Sequence, residues 1–357
     1  MRLLLLPLLA IALPALADVR IDDLTDKRSD WETYRFPLLV GDSPAIARIN
    51  TFLHVRELQA LPGRFAKSPF EKVRPKEGEI GGVNSLDYQV VGQGPGYLSL
   101  NVDSEYTAAY SSQNSTAYNF DLASGRPIGL AQLLTPQGLA RLQTELQGKR
   151  AKRMQDFLKA MPPSKPVDPD ELSDDEQQQE DQRALYSECL ESLGEASFDF
   201  DRLQLGTDSM TVIGGSCANH ASRALDELGE FPESISYQAL SADLSPYGRC
   251  LLLEKRSDCT LPASSTAQGV YYGSLGAYPI TLVIEQLYSD RSLTASYFYD
   301  KHAKYIELGG EFQQDSLTLH ESGEPPARFE LEFQADGSLT GTWQQGGKRA
   351  LAVKLTP

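Results

Sequence analysis

The sequence predicts an α+β N-terminal domain followed by an all-β antiparallel meander, either a small barrel or a sandwich. Three observations predict this. Strand-like and helix-like apolar periods alternate up to about residue 260. Beyond residue 269 only the period of two survives, with turn residues at short intervals. Between the two lies a small, polar stretch, residues 261–269, that reads as a linker. At 357 residues the chain is also longer than one typical domain.

The first residues set the compartment. Met1-Arg2 is a positive start, residues 3–16 are almost unbroken apolar, and Ala15-Leu16-Ala17 is a small-x-small cleavage site. The run is shorter than the roughly 20 residues that cross a bilayer. Residues 1–17 are therefore expected to be a signal peptide, and the mature chain, beginning near Asp18, to be periplasmic or secreted. No Cys follows the cleavage site, so no lipid anchor is expected there. No later stretch is apolar enough to span a membrane.

Residues 18–260 are expected to form the α+β domain. Thr33-Tyr-Arg-Phe-Pro-Leu-Leu-Val40 alternates as a strand. Asp42-Ser43-Pro44 then opens a helix carrying Ile46, Ile49, Phe52 and Leu53. Residues 61–82, rich in Pro, Gly and Lys, read as loop. Residues 88–91 and 97–102 alternate around Gly92-Gln-Gly-Pro-Gly96, which predicts a hairpin. Residues 116–122 form a strand turned by Ser124-Gly125. Thr135-Pro136 starts a long helix with Leu139, Leu142 and Leu146 on one face, and Met154, Phe157 and Leu158 prolong it.

Residues 161–183 depart from globular composition. Four prolines precede an Asp/Glu/Gln run, so a disordered acidic insertion is expected. A calcium loop around Asp168 and Asp170 lacks its Gly and closing Glu. Residues 185–193 are helical, residues 198–203 alternate, and residues 210–213 and 235–237 are strands. Residues 221–228 form a short helix or loop, and residues 251–254 read as the last strand of this part.

In residues 270–357, the alternating sets Ile280, Leu282, Ile284, then Leu317, Leu319, then Phe329, Leu331, Phe333, then Leu351, Val353, Leu355 mark strands. Asp300-Lys301, Gly309-Gly310, residues 322–326, Asp336-Gly337 and Gly346-Gly347 read as the turns between them.

The charge balance is 33 Lys+Arg against 49 Asp+Glu. This argues against nucleic acid and makes an acidic membrane surface a poor target, whereas a basic partner would be drawn in. Four cysteines in an exported chain suggest two disulfides, with three possible connectivities. Cys250 and Cys259 flank a polar loop and are expected to pair. That leaves Cys189 and Cys217 to each other, tying a helix to a following strand or loop.

No reactive grouping emerges. In Gly214-Gly-Ser-Cys-Ala-Asn-His220, Ala218 stands where a nucleophile elbow needs Gly, and Cys217 is expected in a disulfide. His54, His220, His302 and His320 show no zinc spacing and read as exposed or capped surface residues. No catalytic, cofactor or metal site is assigned. The C-terminal part is rich in Tyr. On its strands one face would fill the core while the other presents aromatic side chains, so Tyr272, Tyr297, Tyr299, Tyr305 and Trp343 form the expected binding surface.

Residues 118–134, Tyr-Asn-Phe-Asp-Leu-Ala-Ser-Gly-Arg-Pro-Ile-Gly-Leu-Ala-Gln-Leu-Leu, resemble a segment of a family of exported bacterial domains of unknown function. That domain occurs in the extracellular part of the lysozyme-sensing anti-sigma factor V and in some peptidoglycan deacetylases. The resemblance extends to residues 34–53 and 200–244. Ser124 and Leu134 depart from the family's Thr and Phe, and the acidic insertion is extra. The C-terminal part is similar to a second recurring exported β module, through Tyr272-Gly-Ser-Leu-Gly-Ala-Tyr-Pro-Ile280, Tyr297-Phe-Tyr-Asp-Lys301 and Gly341-Thr-Trp343. The resemblance implies an α+β binding domain beside a β module and brings no catalytic residues.

The functional expectation is a non-catalytic periplasmic binding or envelope-associated protein that contacts a cationic protein such as a lysozyme, or a cell-wall polymer such as peptidoglycan. The alternatives are a cell-wall hydrolase or esterase built from scattered carboxylates, and a purely structural accessory.

Overall fold

A computed structural model describes residues 19–357, except 77–80, 109–110, 165–171, 195–197, 200, 220, 263–266 and 314. The expected signal peptide, Asp168, Asp170 and His220 lie outside the described residues, as does the middle of the expected linker.

The first sheet has the order β1 (Arg20–Lys27), β2 (Thr33–Val40), β3 (Gly82–Gln93), β4 (Tyr97–Thr107) and β5 (Ser111–Asp121). Only β2 and β3 run parallel. A parallel pair needs a crossover, and α1 (Pro44–Leu58) with the loop after it supplies one. Ser43 caps α1 by accepting from the Ile46 N–H, Pro44 presets its first turn, and Gln59 ends it in the left-handed region at φ 51°. β1, which the sequence reading passed over, is an edge strand whose alternation is blurred by charged residues.

α1 is buried on both sides. Ile49, Phe52 and Leu53 share one core with Phe36, Leu86, Leu100 and Phe120 of the sheet, and with Val270, Val283 and Phe298 from the C-terminal part. Phe52 meets Phe120 edge to face at 5.7 Å. His54 is not the surface residue expected: it is 2% exposed, and its Nδ1 lies 2.8 Å from the Asn50 carbonyl oxygen. Its place on α1 faces the sheet, where its ring meets Phe36 edge to face at 5.2 Å.

A small sheet, β6 (Arg202–Leu205), β7 (Ser209–Gly214) and β8 (Phe231–Ser236), covers part of the other face of the first sheet. The Leu205 N–H donates to Ser99 Oγ at 3.0 Å, and Asn119 Nδ2 donates to the Leu203 carbonyl at 2.8 Å. Leu203, Leu205, Met210 and Val212 pack with Leu142 and Leu146 of a long helix that begins at Pro136, capped by Thr135, and ends at Ala160. Before it comes a single turn of helix, α2 (Leu130–Leu133), so the long helix is α3.

Residues 174–183 correct the expectation of disorder. They begin α4 (Asp174–Ser192). Ser173 and Glu176 form a capping box, and Asp174, Asp175 and Glu176 sit in the first turn, where acids favour the helix dipole. Burial comes from farther along: Tyr186 is fully buried against Phe157 of α3, with ring centroids 4.8 Å apart. Composition over a short window misses such a distant anchor. Both expected disulfides are present. Cys189–Cys217 ties α4 to the loop after β7, and Cys250–Cys259 closes the nine-residue loop. Closing 28 residues with the first stabilises by about 3–4 kcal/mol on the chain-entropy account. Residues 249–253, expected in part as a strand, form a helical turn that buries the adjacent Leu251 and Leu252. A one-sided strand cannot bury neighbours in sequence.

The C-terminal meander closes into an eight-stranded antiparallel barrel: β9 (Gly269–Leu275), β10 (Tyr278–Leu287), β11 (Ser292–Tyr299), β12 (Lys304–Gln313), β13 (Ser316–Glu321), β14 (Ala327–Phe333), β15 (Leu339–Gln345) and β16 (Leu351–Thr356). Alternate residues fill it, among them Ile280, Leu282, Ile284, Leu317, Leu319, Phe329, Leu331 and Leu355. Gly309-Gly310 is not a turn but lies inside β12. A Cβ on Gly310 would collide with the Thr318 carbonyl, so glycine there permits close approach of β12 and β13. Among the described residues no helix is long and apolar enough to cross a membrane.

Candidate functional site: a polar cleft on the open sheet face

Of the expected aromatic surface, two members are withdrawn from solvent and three are half-buried. Tyr297 and Trp343 are buried inside the barrel, where the Tyr297 hydroxyl and Trp343 Nε1 donate to the same Glu321 oxygen at 2.6 and 2.8 Å. Tyr299 is half-buried against Tyr297, with Tyr278 beside it. Tyr272 and Tyr305 lie on the outer wall but pack into the core around α1. The Tyr272 hydroxyl donates to Thr51 Oγ1 at 3.1 Å, and the Tyr305 ring meets Phe298 at 5.7 Å. The alternation argument assumed a solvent face for this module. Over β9–β12 the α+β unit covers that face, so Tyr272 and Tyr305 pack against it, while Tyr297 and Trp343 fill the interior.

The other tempting segment is also structural. Ser216 Oγ donates to the Asp226 carboxylate and accepts from the Ala218 N–H at 3.0 Å, and Cys217 is in a disulfide. The residues that carry the family resemblance hold a turn. Asp121 accepts from the Ser124 N–H and from the Tyr247 hydroxyl. Gly125 sits at φ 73°, where a Cβ would strike the Ala45 backbone.

What the fold opens is a cleft of about 790 Å³ on the part of the first sheet that the small sheet leaves uncovered. Its floor comes from β3, β4 and β5. Asp87 and Asp103 are direct partners across β3 and β4, and Glu105 pairs with Ser85 and Gln113. Like charges directly opposite on a sheet repel. Arg35 of β2 relieves Asp87, its Nε donating at 2.6 Å. Glu105 accepts from Ser111 Oγ at 2.7 Å. Asp103 has no hydrogen bond or ion pair among the described residues. On the wall Arg202 is held by Glu230 at 2.6 Å, and Arg223 is exposed. The cleft therefore carries four carboxylates against two guanidinium groups, an excess of negative charge over a polar floor. Acids spaced along two strands gave no sequence motif; only the pairing register brings them together.

A second group of acids lies between the two parts of the chain. The Tyr118 hydroxyl donates to Glu57, and Arg56 donates to Glu285 at 3.1 Å. Glu285 follows the inward-facing Ile284 in β10 and so lies on the barrel's outer wall by alternation, at a bulge in the strand. Burial raises the carboxyls of both Glu57 and Glu285 above their ordinary values. Neither lines the cleft. Among the described residues no group of three or more His, Cys, Asp or Glu side chains is placed to hold a metal.

No family model matches this chain, and no curated protein matches it. Several solved chains are similar to it, among them two from one domain family. One is a member of the DUF3298 family from Bacteroides fragilis, 14% identical over 67% of this chain and 98% of that one, with a TM-score of 0.41. The other is a DUF3298 family protein from Pseudomonas aeruginosa PAO1, 13% identical over 64% of this chain and 96% of that one, with a TM-score of 0.33. These neighbours belong to a domain family of unknown function. Likenesses this distant carry no argument about what the cleft binds.

Proposed function

We propose that this chain is a periplasmic or secreted, non-catalytic binding protein whose cleft receives cationic groups of a protein partner such as a lysozyme. The observation that carries the reading is the carboxylate row Asp87, Asp103 and Glu105 on the cleft floor, where Asp103 has no hydrogen bond or ion pair among the described residues. Cationic side chains would offset a repulsion already built into the sheet. The net charge of −16 would steer such a partner from a distance. The likeness of residues 118–134 to the extracellular domain of the lysozyme-sensing anti-sigma factor V points the same way. A cell-wall polymer bearing free amino groups would meet the same acids.

The test is titration calorimetry with a cationic lysozyme at low and high salt. Binding at low salt that weakens at high salt is expected. Asp103→Asn combined with Glu105→Gln should weaken it roughly 3–30-fold. Absence of binding at low salt removes this partner. The hydrolase reading keeps one observation in its favour: the raised carboxyls of Glu57 and Glu285, a tuning that general acids require. Soluble fragments released from peptidoglycan by the wild type, and not by Glu57→Gln, would replace the binding reading with that one.

A further inference from the structure

We infer that the end of the first sheet built by the β1–β2 turn and the loop of residues 61–76 docks on an anionic lipid surface. The chain is acidic as a whole, but its charge is not evenly spread. Within residues 61–76, Arg64, Lys67, Lys72, Arg74 and Lys76 stand against Glu71 alone. Glu71 is occupied at home, accepting from the backbone N–H groups of Ala66 and Lys67 at 2.8 and 3.0 Å. Arg74 is committed to Asp26 at 2.5 Å. Arg64, Lys67 and Lys72 are exposed, and none has an ion pair among the described residues.

The loop has a fixed shape. Phe70 stacks on Tyr34 at 4.9 Å, Ser68 Oγ donates to Asp26 at 2.7 Å, and the Val83 N–H donates to the Val73 carbonyl at 2.8 Å. These contacts pin it beside the turn that follows β1. That turn carries Trp31, 84% exposed, between Asp30 and Glu32, whose carboxylates are paired with Lys27 and Arg28, and the loop itself presents Phe65, 39% exposed. An indole in full contact with water has no structural use here. Trp and Phe beside unpaired Lys and Arg are what partition into the headgroup layer of an anionic bilayer. The loop packs on the sheet face that carries Tyr34, while the acidic cleft opens on the other face. With a screening length of about 8 Å at physiological ionic strength, the distant acids do not cancel the local attraction. A whole-chain charge balance averages this patch away.

The two tryptophans make the test direct. Trp343 is 8% exposed and pinned inside the barrel, so a change in emission on binding reports Trp31. The full chain is mixed with phosphatidylcholine vesicles that contain or lack phosphatidylglycerol, and emission and co-sedimentation are followed. A blue shift and sedimentation only with the anionic vesicles, reversed by salt, are expected. Lys67→Glu with Lys72→Glu should weaken the interaction roughly fivefold or more per residue. Trp31→Ala should weaken it, whereas Asp103→Asn, in the cleft on the other sheet face, should leave lipid binding unchanged. Circular dichroism melts confirm that the variants are folded. Absence of vesicle binding at low salt overturns the inference. So does equal binding to neutral vesicles, or binding to an acidic polypeptide such as polyglutamate without binding to vesicles.

Discussion

In the barrel each strand pairs with the next in sequence, and β16 closes on β9, so the buried apolar residues described in its interior come from its own chain segment, with Arg126 of the α+β unit reaching the Tyr271 hydroxyl at 3.3 Å. The α+β unit is assembled differently. Its first sheet is open, its crossover helix α1 lies between that sheet and the barrel, and part of its core is the barrel's outer wall, through Val270, Val283 and Phe298. The difference teaches that the two parts, distinct in sequence pattern, close their cores in different ways, and their local stabilities are expected to differ. One encloses its core, and the other borrows part of it. Further links cross the same boundary: Arg48 donates to the Pro357 carbonyl at 2.8 Å, and Ser289 to Asp199 at 2.7 Å.

Two phenylalanines of the barrel break the comparison open. Phe298 points outward into the core around α1, and Phe329 points inward. Each is fully buried, so replacement by Ala should cost about 3–5 kcal/mol. The cost should fall in different places. Hydrogen exchange in Phe298→Ala should rise in α1 and β2 while β13–β15 stay protected; Phe329→Ala should raise exchange across the barrel. Identical exchange maps would mean that the two parts unfold as one unit.

The next effect concerns α1 alone. Burial pushes the His54 imidazole down to about 4 from 6.5. Between those pH values the unfolded chain binds a proton that the folded chain does not, so stability falls as pH drops through this window, by about 3 kcal/mol in all. Glu57 and Glu285 act in the opposite sense. Their raised carboxyls keep protons that the unfolded chain releases above pH 4.5, so their contribution is lost as pH rises through the folded values. Imidazole resonances followed by NMR should show His54 neutral well below pH 6. An ordinary titration near 6.5 would mean that α1 has a wet face after all.

The smallest effect lies at the periphery, on α3, where helical faces reach solvent. Lys152 and Asp156 form an exposed pair four residues apart. Lys152→Ala should shift stability by only about 0.3–0.5 kcal/mol, as chemical denaturation would show, and less at high salt. A larger loss would mean that α3 depends on its surface charges and not on Leu142, Leu146 and Met154.

Local signals were legible where the cause is local. Ser43-Pro44 and Thr135-Pro136 marked helix starts, because caps and preset dihedrals act within one turn. Alternation marked most strands of the barrel, and cysteine spacing suggested both disulfides. Elements that depend on a distant partner were misread. The first half of α4, unlike residues 185–193, was missed because it depends on Tyr186 against Phe157, and β12 needs Gly310 within a strand because of its neighbour's backbone. The candidate cleft was not legible at all, since Asp87 and Asp103 face each other only in the β3–β4 register.

By itself, then, the chain specified its local structure: periodicity, caps, turns and the change from mixed to purely β pattern near residue 269. Which face of each strand meets water was settled only in three dimensions. A period-two pattern records that a residue's two neighbours point the other way, and it carries no information about what covers that other side. Once α1 and the first sheet cover the barrel wall, Tyr272 and Tyr305 become core, and the open polar face lies elsewhere, on β3 and β4.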